Sequence, residues 1–151
     1  MKWTSGDVAI YEKERDYIDT ALIPLLPVAI GQGARRLASG GELVGLVAAE
    51  VERQLRGRVF LLPPFVYFAD EGRSQLLERL TNWTNRLRQE GMDHVFYVTC
   101  DRAWQEETEA SRIWLVPAVP LESMGEPYKH ELVREQAAEL LRFFVSRWTK
   151  G

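Results

Sequence analysis

Residues Thr20 to Gly33 read T-A-L-I-P-L-L-P-V-A-I-G-Q-G, an apolar run from Leu22 to Ile30 broken by two prolines and ended by glycines. This is the pattern of a buried strand opening into a loop ahead of a helix, and in an α/β protein such a loop borders the ligand crevice. Pro24 has no N–H for a ladder bond, so the regular part of the strand is expected at Leu25 to Ala29. The loop carries little that does chemistry, and this sets the functional expectations below.

Before this strand, Thr4 and Asp7 have the spacing of a capping box, which starts a short helix near Ser5 with Val8 and Tyr11 as apolar contacts. Glu12 to Asp16 reads as a charged, solvated connection. After Gly31, Gly33, Gly40 and Gly41, a helix is expected from Glu42 to Arg56, with Leu43, Val47, Val51 and then Leu55 on one face and Gly57 as its stop. Arg58-Val-Phe-Leu-Leu-Pro-Pro gives a second strand ended by its prolines, apolar enough to be covered on both faces. Ser74 caps a helix carrying Leu76, Leu80, Trp83 and Leu87, closed by Gly91.

His94 to Thr99 is the third strand, Asp101 to Ala110 a short helix, and Ile113 to Val116 the fourth strand. The last helix, Lys129 to Trp148, has a stripe of Val133, Ala137, Leu140, Phe144 and Trp148 widened by Leu141 and Val145. So broad a stripe packs on a sheet or a partner. Strand and helix alternate four times. The expected fold is one α/β domain over residues 1–151, a three-layer sandwich whose four-stranded, mainly parallel sheet has helices on both faces.

With 151 residues, 46% of them hydrophobic, the chain can build one continuous core. Its 19 basic and 22 acidic residues, net charge −3, exert no global pull on nucleic acid or anionic lipid. Cys100 is the single cysteine, which excludes an internal disulfide and suits a reducing compartment. No apolar run reaches the roughly 18 residues of a membrane span. M-K-W-T-S-G-D lacks the order of a signal peptide, so a cytoplasmic protein is expected.

The residues bordering a strand-end site are Ile30 to Gln32, Pro63 to Tyr67, Thr99 to Arg102 and Pro117 to Pro120. A ligand pocket would draw its polar groups from Gln32, Glu42, Tyr67, Thr99 and Asp101. Catalytic residues are not expected. His94, the one base on the Cys100 strand, is roughly 20 Å from Asp101 at about 3.3 Å per residue. Cys100 without a base reads as a small buried hydrophobe, and Asp101 as the cap of the following helix. Gly31 and Gly33, with Arg35 and Arg36, form a possible anion loop that matches no phosphate-binding fingerprint. Two histidines on separate elements argue against a metal site, and no cofactor is expected. Of the five tryptophans, Trp104 and Trp148 are the expected interface residues, Trp104 because its short helix has few other apolar residues.

M-K-W at the start, D-T-A-L-I-P-L-L-P-V from Asp19 and G-R-V-F-L-L-P-P-F-V-Y from Gly57 together resemble the YpiF-like family of small bacterial proteins. That resemblance implies a cytoplasmic setting and brings no activity. Leu25-Leu-Pro-Val, a glycine-containing loop and helix, and a strand ending Leu62-Pro-Pro with Tyr67 behind it also resemble the first half of the creatininase-type amidohydrolases. The metal-binding glutamate, histidine and aspartate of that family fall on Gln32, Ala34 and Leu43, with Glu42 one residue from the last. Its later N-G-H-G-G-N strand end falls on Val98-Thr-Cys-Asp-Arg-Ala. This resemblance implies a hydrolase scaffold without its metal.

The leading expectation is a non-catalytic domain acting through protein contacts, as a homodimer or with a protein partner. The alternative is a small-molecule-binding protein or metal-independent hydrolase using the strand-end pocket. Nucleic acid is not expected as a partner, since Arg53, Arg56, Arg58, Arg86 and Arg88 are spread among acidic neighbours.

Overall fold

The computed structural model describes residues 1–106 and 112–149. Its elements are α1 (Ser5–Lys13), β1 (Thr20–Val28), α2 (Ala34–Gln54), β2 (Val59–Leu61), β3 (Phe65–Phe68), α3 (Arg73–Gln89), β4 (His94–Thr99), a 3-10 turn (Arg102–Glu106), β5 (Ile113–Leu115), a second 3-10 turn (Leu121–Ser123) and α4 (Glu126–Thr149). Five strands run in the order β2-β1-β4-β5 with β3 also on β1, and every pairing is parallel. The expected three-layer α/β architecture is present.

The two faces follow from the alternation along β1 and β4. Ala21, Ile23, Leu25, Val95 and Tyr97 pack with Leu76 and Leu80 of α3, while Val8 and Tyr11 of α1 lie against the same cluster. Leu22, Phe96 and Val98 pack with Leu43, Val47 and Val51 of α2 and with Ala137, Leu140 and Phe144 of α4. Each fully buried Val, Leu, Ile or Phe among them contributes about 1.5–3 kcal/mol of transfer free energy.

The sheet has one strand more than expected because the edge ribbon is broken. Thr20 pairs with Val59 and Leu22 with Leu61, then Leu25 pairs with Phe65. Two residues of β1 therefore face the three residues Leu62 to Pro64, a bulge that absorbs Pro63 and Pro64 and lets the strand resume as β3. Prolines are tolerated there because this ribbon is an edge. Outside β2, Leu61 N–H donates to the Met1 carbonyl at 2.7 Å and Lys2 bridges to Leu61. The Met1 ammonium donates to the Val59 carbonyl at 2.7 Å and lies 2.8 Å from the buried Glu52 carboxylate. β1 itself begins at Thr20, five residues earlier than expected, and Pro24 falls at the end of its ladder with β4, opposite Val98.

Helix α2 begins at Ala34, eight residues before the expected Glu42. Gly40 and Gly41 are thus helical, and their role is close packing. A Cβ on Gly40 would sit 3.1 Å from Cys100 Cβ, and one on Gly41 3.5 Å from Leu26 Cδ2. Helix α1 starts where expected, with Asp7 N–H donating to Thr4 Oγ1 at 3.1 Å, but the Asp7 carboxylate reaches past Thr4 to accept from Lys2 N–H at 2.8 Å. Helix α3 starts at Arg73 after Gly72, without a side-chain cap. On it Thr84, not Trp83, takes the buried position, and Trp83 is 50% exposed. The expected helix Asp101 to Ala110 is a 3-10 turn as far as Glu106, and its second half lies outside the described residues.

At the N-terminal end of β1 a polar cluster fastens α4 to the sheet. Arg58 donates to both Asp19 carboxylate oxygens at 3.0 and 3.2 Å, Thr20 Oγ1 donates to Asp19 at 2.8 Å, and Trp148 Nε1 donates to Thr20 Oγ1 at 2.9 Å. The Arg58 guanidinium carbon lies 3.7 Å from the Trp148 ring centroid. Burial opposes the Asp19 charge, but the hydrogen bonds from Arg58 and Thr20 outweigh it and hold the carboxyl below its ordinary value of 3.8. The unfolded chain therefore takes up the proton first as pH falls. This contribution is complete above 3.8 and is lost as pH drops through the lower folded value. Asp19→Asn is expected to cost about 1 kcal/mol at neutral pH. In urea titrations over about pH 3 to 6, the gap between variant and parent should close at the acid end.

Candidate functional site

The connections on the two sides of β1 diverge. From β1 the chain passes through α2 to the edge ribbon on one side, and from that ribbon through α3 to β4 on the other. The C-terminal ends of β1 and β4 thus flank a topological switch point, where the loops part and leave a crevice. Burial along β1 is complete through Leu25 and only partial from Leu26 to Val28.

A cavity of about 380 Å³ occupies this crevice. Leu25, Leu26, Leu37 and Val44 give it an apolar floor, and Arg36, Asp101 and Arg102 reach it from the first turn of α2 and the end of β4. A second cavity of about 650 Å³ adjoins it, sharing Arg36 and Ala118 and bounded by Gly31, Gly33, Arg35 and Glu122. Gly31 and Gly33 have φ of 106° and 85°, conformations that a side chain would strain, so the loop depends on both glycines. Ser39 makes the wall between loop and helix. Its Oγ donates to the Val119 carbonyl at 2.6 Å and accepts from Leu121 N–H at 2.9 Å.

The electrostatics favour an anion. Gly33 precedes α2 and gives it no side-chain cap; Ala34 N–H donates to the Gly31 carbonyl at 3.1 Å, and the next first-turn N–H groups, with the positive end of the helix dipole, face the loop. Among the described residues Arg35, Arg36 and Arg102 make no ion pair. The opposing charges are Asp101 on the first cavity and Glu122 on the second, and each Asp101 oxygen already accepts one hydrogen bond. It accepts from Tyr67 O–H at 2.6 Å and from Ala103 N–H at 3.1 Å.

Asp101 belongs to a chain of hydrogen bonds running from the core to the cleft. Trp104 Nε1 donates to Tyr67 Oη at 2.8 Å, and Tyr67 passes its own hydrogen to Asp101. Asp101 N–H donates to Thr99 Oγ1 at 3.1 Å, and Thr99 donates to the Leu25 carbonyl at 2.8 Å. Burial, with the Asp101 carboxylate beside it, pushes the Tyr67 phenol well above its ordinary range, so Tyr67 stays a neutral donor. Cys100 is not activated. Burial raises its thiol to about 11, and its Sγ lies 3.3 Å from the Gly40 carbonyl.

The structure divides the expected residues. Gly31, Gly33, Arg35 and Arg36 do converge, on the second cavity. Of the expected pocket residues, Asp101 alone lines the first cavity. Gln32 is exposed on the loop, Glu42 is exposed along α2, and Tyr67 and Thr99 are buried behind Asp101. Trp104 is 0% exposed, an internal residue and not a surface anchor, because Tyr67 accepts its N–H. Trp148 is half-buried and already engaged with Thr20 and Arg58. Sequence reading passed over Ser39 and did not single out Arg102, although the stretch Thr99 to Arg102 contains it. An unmatched arginine just past a strand end was the available signal. Among the described residues no group of three or more His, Cys, Asp or Glu is placed to hold a metal ion, and no helix is long and apolar enough to cross a membrane.

Residues 9–148 match a protein family of unknown function, DUF2487, and the chain belongs to that family. It is 33% identical over 154 residues to the uncharacterised protein YpiF of Bacillus subtilis (strain 168), an alignment spanning 99% of each. No solved structure matches the chain.

Tyr67→Phe tests the hydrogen-bond chain. It leaves the buried Trp104 N–H without an acceptor and removes the donor to Asp101, so it should cost about 1–3 kcal/mol in chemical denaturation. A change in Trp104 fluorescence in the folded variant is the accompanying signature.

Proposed function

We propose that this protein binds a small anionic molecule in the strand-end cleft, as a binder or sensor and not as a catalyst. The observation that carries the reading is the position of the cleft. Two adjoining cavities lie at the switch point between β1 and β4, with Arg36 between them at the uncapped start of α2. In open α/β sheets, ligands bind at this place. An anionic group would take the first-turn N–H groups of α2 with Arg36 and Arg102, while the apolar body of the ligand would lie on Leu25, Leu26 and Leu37.

Three features support binding over catalysis. The Cys100 thiol is protonated at neutral pH, the Asp101 carboxylate is occupied by Tyr67 and Ala103, and His94 stands at the far end of β4, stacked on Phe96. The reading does not draw on the creatininase resemblance, since Gln32, Ala34 and Leu43 are not metal ligands of that type. A cytoplasmic setting, with one reduced thiol, is part of the proposal.

The test is a thermal-shift and calorimetric screen of inorganic phosphate, pyrophosphate, nucleoside phosphates and carboxylic acids against uncharged analogues. A saturating ligand should raise Tm by about 5 °C. Arg36→Ala should weaken binding about 10–100-fold, the loss of a charge-assisted contact, with Arg35→Ala affecting it less. If no anion shifts Tm, or if Arg36→Ala binds as the parent does, the proposal is wrong.

A further inference from the structure

A separate surface lies at the opposite edge of the crevice ribbon. Among the described residues β3 pairs with β1 along one side only. Ala69 N–H donates inward to the Val28 carbonyl at 2.9 Å, so by alternation the N–H and C=O of Val66 and Phe68 point to the open side. Sheet edges of soluble proteins are ordinarily blunted by charge, by proline or by a covering segment. β2 has its cover, Met1 and Lys2, but the cover stops at Leu61. β3, with the sequence Phe-Val-Tyr-Phe, has no charge of its own. The apolar residues around it are also unusually open. Val66 is 50% exposed and Phe68 60% exposed on the α2 face, and Trp83, in edge contact with Phe65, is half-exposed on the α3 face.

We infer that this edge is the interface of a two-fold dimer, in which β3 pairs antiparallel with the same strand of a second copy. A symmetry axis through Tyr67 sets Val66 opposite the partner's Phe68. That register makes each outward-facing residue exchange both main-chain hydrogen bonds with the other. The exposed Val66 and Phe68 side chains of both copies then meet on one face as aromatic and β-branched cross-strand pairs.

Charge selects the second copy and this orientation. Lys2, beyond the N-terminal end of β3, and Asp70, just past its C-terminal end, are both exposed, and neither side chain is in an ion pair among the described residues. Antiparallel pairing runs the Asp70 end of each strand toward the Lys2 end of the other. Parallel pairing would set like charge against like. Because the pairing is isologous and uses the same short edge on both copies, it closes at two subunits. The surface is distinct from the anion cleft, so either proposal can fail alone.

The experiment is sedimentation velocity with native mass spectrometry on the full chain, over a roughly hundredfold concentration range. The parent should be a dimer. Val66→Lys with Phe68→Lys should weaken association by roughly a hundredfold while leaving the far-ultraviolet circular dichroism unchanged, since both side chains already face solvent in the monomer. Lys2→Glu alone and Asp70→Lys alone should each weaken it by about fivefold, and the two together should restore it. A parent that stays monomeric throughout overturns the inference, even if β3 captures an extended peptide. So does a dimer that survives the double lysine substitution, or a charge swap that does not restore association.

Discussion

The constraint on which the structure depends is the complete enclosure of β1. It has parallel neighbours on both sides over Thr20 to Leu22 and helices above and below, so its side chains must be apolar in both directions. The same enclosure requires α2 to come very close, which Gly40 and Gly41 permit against Cys100 and Leu26. The crevice is the place where this enclosure ends. Past Pro24 the ladder with β4 ends while β3 stays alongside through Val28, and the strand is left half-covered beside the start of α2.

Polar groups are used differently at the two ends of β1. At the N-terminal end, Asp19, Arg58, Thr20 and Trp148 form a closed set in which every charge has a partner, and the result is structural. At the C-terminal end, Trp104, Tyr67, Asp101 and the Ala103 N–H satisfy one another, while Arg36 and Arg102 make no ion pair among the described residues. Satisfied polar chains rigidify, and the arginines beside them are the groups on which the proposed anion binding rests.

Much of the fold was legible. His94 to Thr99 was read with the bounds that β4 has, and the apolar stripe of α4 identified the positions Ala137, Leu140 and Phe144 that pack on the sheet. What misled were residues whose meaning is set by distant contacts. Gly40 and Gly41 read as loop because glycine weakens a helix, yet tertiary packing against Cys100 and Leu26 reverses that preference. Pro63 and Pro64 read as a strand end, and nothing local revealed that Phe65 would rejoin β1 after one extra residue. Gly31, Gly33, Arg35 and Arg36, which are neighbours in sequence, do line one cavity together. The pocket set failed at Gln32 and Glu42, because which side of the loop or helix faces the cleft depends on where α2 begins.

The uniformly parallel sheet also governs how the chain can acquire its structure. There is no hairpin among the described strands. Thr20 finds its first partner at Val59 and its second at His94. An emerging chain therefore carries its most apolar segment for a long interval before any strand can join it, with α2 as the chief local structure available to shield it. Such non-local order makes for slow folding. It also places the burden of solubility during synthesis on the amphipathic helix that follows β1, so that the strand is sheltered by a helix before it belongs to a sheet.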